Sequence, residues 1–259
     1  MNWLIVTIGV LALVACGATG GLVMLLRARR MRQRERAYGV QAPYLQLIAV
    51  IIGVMAGLII GSLGAYFLSL NIQVHWIEWV GRFSYVLIAW AGSSHLFNLI
   101  HSGLLLRAEE RGWRQPEQYG RYTLGYRRRR VLDRLRRRHR QYADLKTRDD
   151  ALIEELIGFL GTPLANARRD MGRIPLYGYL GTVCGILLVA QELGRIDAAT
   201  ETFRVLGAMA GGLVLAFATT LAGLLTYLPL RKIVDSLIER VGLLEEQWTQ
   251  LRDDAELEL

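Results

Sequence analysis

The chain has 259 residues, 53% of them hydrophobic, with 31 Lys or Arg against 23 Asp or Glu and a net charge of +8. Such a combination does not suit a soluble fold. A membrane protein segregates the two, with apolar residues in the bilayer and basic ones at one face, which also removes nucleic acid as the reason for the basic charge.

A span needs about 20 mostly apolar residues to cross a hydrocarbon core of about 30 Å. The first such run, Trp3 to Leu26, carries no charge. No basic residue precedes it, as a secretory signal would require, so it is expected to remain as an anchor. Arg27, Arg29, Arg30, Arg32, Arg34 and Arg36 follow it and hold that end in the cytoplasm, which puts the N-terminus on the outer, periplasmic side. A second span is expected over about Tyr44 to Leu70. Its Gly53, Gly57 and Gly61 recur every four residues on one helix face and permit close helix–helix approach. The segment Asn71–Gly81, with Trp76 and Trp79, reads as an interfacial turn, and a third span runs from about Arg82 to Leu106.

A polar stretch, Arg107–Arg173, then carries 18 Arg or Lys against 10 Asp or Glu. Val131, Leu132, Leu135, Tyr142 and Leu145 recur at helical spacing, as do Leu152, Ile153, Leu156, Ile157 and Leu160. Two or three cytoplasmic helices follow from that pattern, with Arg127–Arg130 suited either to passing force to another component or to meeting anionic headgroups. A fourth span runs from about Pro175 to Leu193 and a fifth from about Val205 to Leu230. The short connection between them, Gly194–Arg204, carries Asp197 and Glu201. Arg231 and Lys232 close the fifth span on the inner side, so the C-terminus is cytoplasmic. Beyond it Val234, Leu237, Val241, Leu244, Trp248 and Leu251 form a heptad seam. The seam suits either packing on the chain's own cytoplasmic helices or a collar of tails from several subunits.

The expected fold is therefore an all-α integral membrane protein with five transmembrane helices, a helical cytoplasmic loop and a C-terminal cytoplasmic helix. Its divisions are 1–42 (first span and basic linker), 43–106 (hairpin of spans two and three), 107–173 (cytoplasmic helices), 174–230 (spans four and five) and 231–259 (cytoplasmic tail helix). Cys16 and Cys184 are isolated within apolar runs, and His75, His95, His101 and His139 have no partner at metal-ligand spacing. With no nucleophile–base pair and no phosphate loop, neither an enzyme nor a bound metal or cofactor is expected.

Spans four and five mix small residues with hydroxyls at mid-segment. The fourth holds Pro175, Gly178, Gly181, Thr182, Val183 and Gly185. The fifth holds Gly211, Gly212, Thr219, Thr220, Gly223, Thr226, Tyr227 and Pro229. A proline followed by Gly-Thr-Val-x-Gly in the penultimate span, then a threonine with a glycine three residues later and a proline six beyond that, resembles the MotA/TolQ/ExbB family. The stretch Ala216–Gly223 is more similar to the MotA branch. Two features depart from the pattern: the extra span Trp3–Leu26, and Leu215 where TolQ and ExbB types carry a glutamate.

The resemblance implies an ion-driven motor or energy transducer of the bacterial inner membrane. Five copies of the chain would surround two copies of a single-span MotB/ExbD/TolR-like subunit, whose aspartate takes up H+ or Na+. Thr182, Thr220, Thr219, Thr226 and Tyr227 would then line the ion pathway. Gly178, Gly181, Gly185, Gly212, Gly223, Pro175 and Pro229 would admit the partner helix. The rivals are a membrane scaffold and a solute transporter. A transporter predicts internal repeats and a charged or broken helix at mid-membrane, and the sequence has no repeat.

Overall fold

The computed structural model describes residues 3–69, 75–114, 123–138, 142–194 and 202–257. Among these the chain forms seven helices and no strand: α1 (Trp3–Ala37), α2 (Leu45–Ser69), α3 (Trp76–Arg114), α4 (Leu124–Arg138), α5 (Tyr142–Met171), α6 (Arg173–Leu193) and α7 (Thr202–Leu257). Five helices are long and apolar enough to span a membrane. Within each span's most apolar stretch only 22–28% of residues are buried. Side chains such as Leu11, Met55 and Phe217 stand exposed. This is the pattern of helices solvated by lipid rather than water, and the protein is an all-α multi-pass membrane protein. Asp197, Glu201, His139 and Asn71–Val74 lie outside the described residues.

Helix ends follow local chemistry more than membrane thickness. The helix of the first span does not stop at Leu26 but carries its arginines to Ala37. It ends where Gly39 takes φ +77°, a conformation that favours glycine, and Val40 N–H donates back to the Glu35 carbonyl at 3.0 Å. The third span also begins earlier than its apolar run. Trp76 and Trp79 belong to the first turns of α3 rather than to a turn before it, because Glu78 four residues before Arg82 makes an ion pair along the helix. The fourth span is separated from α5 at Gly172, and the fifth continues without a break through Pro229 to Leu257.

The chain divides into two compact units. The first comprises Met1–Leu25, Ala49–Leu96 and Asp170–Arg231. In it α1 meets α2 backbone to backbone: a Cβ at Gly57 would sit 2.1 Å from the Cys16 carbonyl oxygen, and one at Gly20 2.2 Å from that of Gly53. On α3, Gly81 gives way to Leu215 and Gly92 to Thr226. The buried Arg82 donates to the Phe67 carbonyl at 3.0 Å, pairs with Glu78 and lies over the rings of Phe67 and Trp79.

The second unit comprises Leu26–Ile48, Phe97–Arg169 and Lys232–Leu259. Its centre combines apolar seams with ion pairs. Asp149, fully buried, accepts two hydrogen bonds from Arg128 at 2.8 and 2.5 Å and lies 3.5 Å from Arg252. Arg128 stacks over Trp248. Glu109 accepts the Leu124 and Gly125 N–H groups at 2.7 and 2.9 Å and so caps α4. Of the arginines expected at headgroups, Arg128 is therefore buried against an aspartate, while Arg129 and Arg130 are exposed. In the tail seam Val234, Leu237, Val241, Leu244 and Trp248 are buried by the chain itself, and only Leu251 is exposed. A single subunit thus already covers the seam.

Candidate functional site

The hydroxyl-rich site is built in the first unit, where α6 lies against α7. Close approach is what brings the hydroxyls together, and glycines make it possible. A Cβ at Gly185 would come 2.3 Å from the Gly212 carbonyl oxygen, and one at Gly212 2.7 Å from that of Gly185. At Gly178 the obstacle is the Thr219 carbonyl at 2.9 Å, and at Gly181 the Thr219 side chain at 2.4 Å. Gly223 faces the Gly178 backbone at 3.4 Å. All five expected glycines therefore serve contact between two helices of one subunit. Pro175 sits in the first turn of α6, where no helical N–H bond is lost, and Pro229 lies exposed within α7.

Three hydroxyls converge on one carbonyl. Thr182 from α6 reaches the Ala216 oxygen at 3.0 Å, Thr219 at 3.0 Å and Thr220 at 3.1 Å. Thr182 and Thr220 also contact each other through their hydroxyl oxygens. Thr182 has a second acceptor at 3.3 Å in its own helix, Gly178, and Thr219 has one at 2.8 Å, Leu215. A carbonyl oxygen has two lone pairs, and within a helix one of them normally serves the backbone. Three hydroxyl protons cannot all be given to it at once. The cluster thus has alternative hydrogen-bond arrangements of similar geometry, and its protons can be redistributed without moving heavy atoms.

Burial ranks the members differently. Thr219 is fully buried, whereas Thr182 and Thr220 are half-buried. Thr226 and Tyr227 are half-buried, but Thr226 stands apart: its hydroxyl donates to Ala222 at 2.8 Å and its methyl packs against Gly92 of α3. Around the cluster the exposed surface is apolar and includes Leu176, Tyr179, Phe217 and Leu221. The sequence of α6 up to Glu192, and of α7 as far as Leu230, contains no carboxylate. The cluster can solvate and orient an ion or an acid, but it supplies no titrating group of its own. No group of three or more His, Cys, Asp or Glu able to hold a metal occurs among the described residues.

Sequence reasoning did not foresee the pair formed by Glu35 and His101, both buried in the second unit. The available signal was a lone glutamate set among six arginines.

Residues 169–250, which contain the whole hydroxyl cluster, match the family model of the MotA/TolQ/ExbB proton channel family. No curated protein and no solved structure matches the chain. The family match points to a role in proton-channel energy transduction and agrees with the multi-pass helical architecture. It is through this segment, residues 169–250, that the chain is similar to the MotA/TolQ/ExbB proton channel family.

Proposed function

We propose that the chain is the ring-forming subunit of an ion-driven motor or energy transducer in the bacterial inner membrane. Five copies surround a dimer of a single-span MotB/ExbD/TolR-like subunit, and that partner carries the titrating aspartate. The observation that carries this reading is the shared carbonyl of Ala216, contested by Thr182, Thr219 and Thr220. A hydroxyl with interchangeable acceptors turns readily toward an arriving carboxylate or hydrated ion, and turns back when that group leaves. No charge is fixed at mid-membrane, so neither the protonated nor the ionised state of the partner acid is trapped.

In this mechanism H+ or Na+ enters from the periplasmic side, reaches the partner aspartate beside Thr182 and Thr220, and leaves to the cytoplasm. Neutralising the aspartate changes which subunit it prefers. Five sites around two acids leave the partner out of register with part of the ring after each step. The exposed apolar faces of α6 and α7 supply the surface on which it moves.

The test is co-purification from native membranes followed by ion-flux measurement in liposomes. The expected result is five copies of this chain to two of a single-span subunit. In the Thr182→Val, Thr220→Val double variant, flux should fall at least tenfold in an assembly of unchanged stoichiometry. Recovery of the chain without such a partner sinks the proposal. Undiminished flux in the double variant would remove the hydroxyl cluster from the ion pathway, and an unmutated assembly that passes no ions would leave a scaffold as the better reading.

A further inference from the structure

The second unit contains a buried acid–imidazole pair that the ion pathway does not use. Glu35, on the last turn of α1, contacts His101 of α3 through Oε1 and Nε2, and each residue is only 3% exposed. Their remaining polar atoms, Glu35 Oε2 and His101 Nδ1, are also buried and have no protein partner. Beside them lies a cavity of about 140 Å³ whose wall includes both residues together with Met31, Arg34, Ser102 and Phe159. Its wall is largely apolar, but it has room for water, and two orphaned polar atoms and a hydroxyl are the groups such waters would satisfy.

The electrostatic surroundings are sparse. Arg34 of α1 is exposed at the cavity mouth, and the phenol of Tyr44, ahead of α2, is within electrostatic reach of Glu35. The α5 wall, formed by Phe159, Leu160 and Pro163, brings no charge.

We infer that Glu35 and His101 form a hydrated proton-holding site that latches the cytoplasmic end of the first helix to the third. With the imidazole neutral, Nε2–H donates to the carboxylate, and Nδ1 presents a lone pair to the cavity. A proton delivered by water to Nδ1 turns the hydrogen bond into an imidazolium–carboxylate ion pair and tightens the contact between α1 and α3. Its loss to water leaves the buried carboxylate with a neutral donor and loosens that contact. Proton uptake thus strengthens the latch, and proton loss weakens it.

The test uses the full chain in lipid nanodiscs. After correction for intrinsic rates, amide hydrogen exchange over residues 32–37 should be at least fivefold faster at pH 8 than at pH 6. Glu35→Gln and His101→Gln should abolish that difference. In the unmutated chain, nitrogen-15 signals of the His101 ring should show Nε2 hydrogen-bonded to a carboxylate and an Nδ1 proton that exchanges with water. An unmutated chain whose corrected exchange ignores pH, or variants that keep its pH dependence, would overturn the inference. So would a His101 ring that never exchanges protons with water.

Discussion

The hydroxyl of Thr220 and the carboxylate of Asp149 illustrate two uses of a buried polar group. Thr220 lies in a cluster with more donors than one carbonyl can satisfy, so its hydrogen bonds are interchangeable. Asp149 is the opposite case. It is fully buried, accepts two hydrogen bonds from Arg128 and neighbours Arg252, so each oxygen is held and the geometry is singular. Removing one partner of a buried ion pair strands the other charge and costs about 3–5 kcal/mol. Asp149→Ala strands two guanidinium groups together and should therefore lower thermal stability in detergent strongly. Asp149→Asn keeps one acceptor and should lower it less. Equal melting curves for the two variants would contradict the role given to the charge. Arg128 and Asp149 were both visible in the sequence, but their pairing was not, because 21 positions separate them and many other arginines competed for the same acid.

At the scale of elements, the contact of α1 with α2 decides whether the additional first helix is a fixed part of the membrane unit. Apolar burial gives little help between helices that lipid solvates equally well, so association relies on close packing and on backbone approach. Gly57 provides that approach at the Cys16 carbonyl. Gly64, on the same helix, has nothing within 4 Å of where a Cβ would stand. Gly57→Leu should thus force the helices apart and lower the melting temperature by several degrees, at roughly 2–4 °C per kcal/mol for a chain of this size. Gly64→Leu should leave it unchanged. A similar loss in both variants would contradict the role given to the α1–α2 contact, since leucine is the better helix former at either position. The four-residue glycine spacing of α2 was legible in the sequence, since periodicity places residues on one face. The partner was not, because the same interval separates Gly17 from Gly21 on α1 and Gly181 from Gly185 on α6, so spacing alone does not choose between them.

For the whole molecule, charge asymmetry sets an orientation that can be measured directly. By the positive-inside rule, the arginines after the first span and the pair Arg231–Lys232 after the fifth are expected on one side, and Asp197 and Glu201 on the other. A cysteine introduced at position 198 should react with an impermeant maleimide added to intact spheroplasts. One introduced at position 255 should react only after permeabilisation. The reverse pattern would invert the topology and with it the direction of ion entry. The native Cys184 is buried and Cys16 lies within the first span, so a cysteine-free background is easily prepared for this assay.

Span number, helical class and the hydroxyl-bearing segment were all readable from the chain alone. Each depends on local composition: a bilayer demands a run of apolar residues, and a helix satisfies its own backbone there. Folding decided which groups meet. Gly178, Gly181, Gly185, Gly212 and Gly223 serve the contact of α6 with α7, Thr226 turns to α3 while Thr182, Thr219 and Thr220 share Ala216, and the tail seam is covered within one subunit. Glu35 found His101 across 66 positions for the same reason. Hydropathy and spacing state what a residue can do on its own helix. Only the packing of one helix against another selects the partner, because that choice rests on distances that sequence separation does not encode.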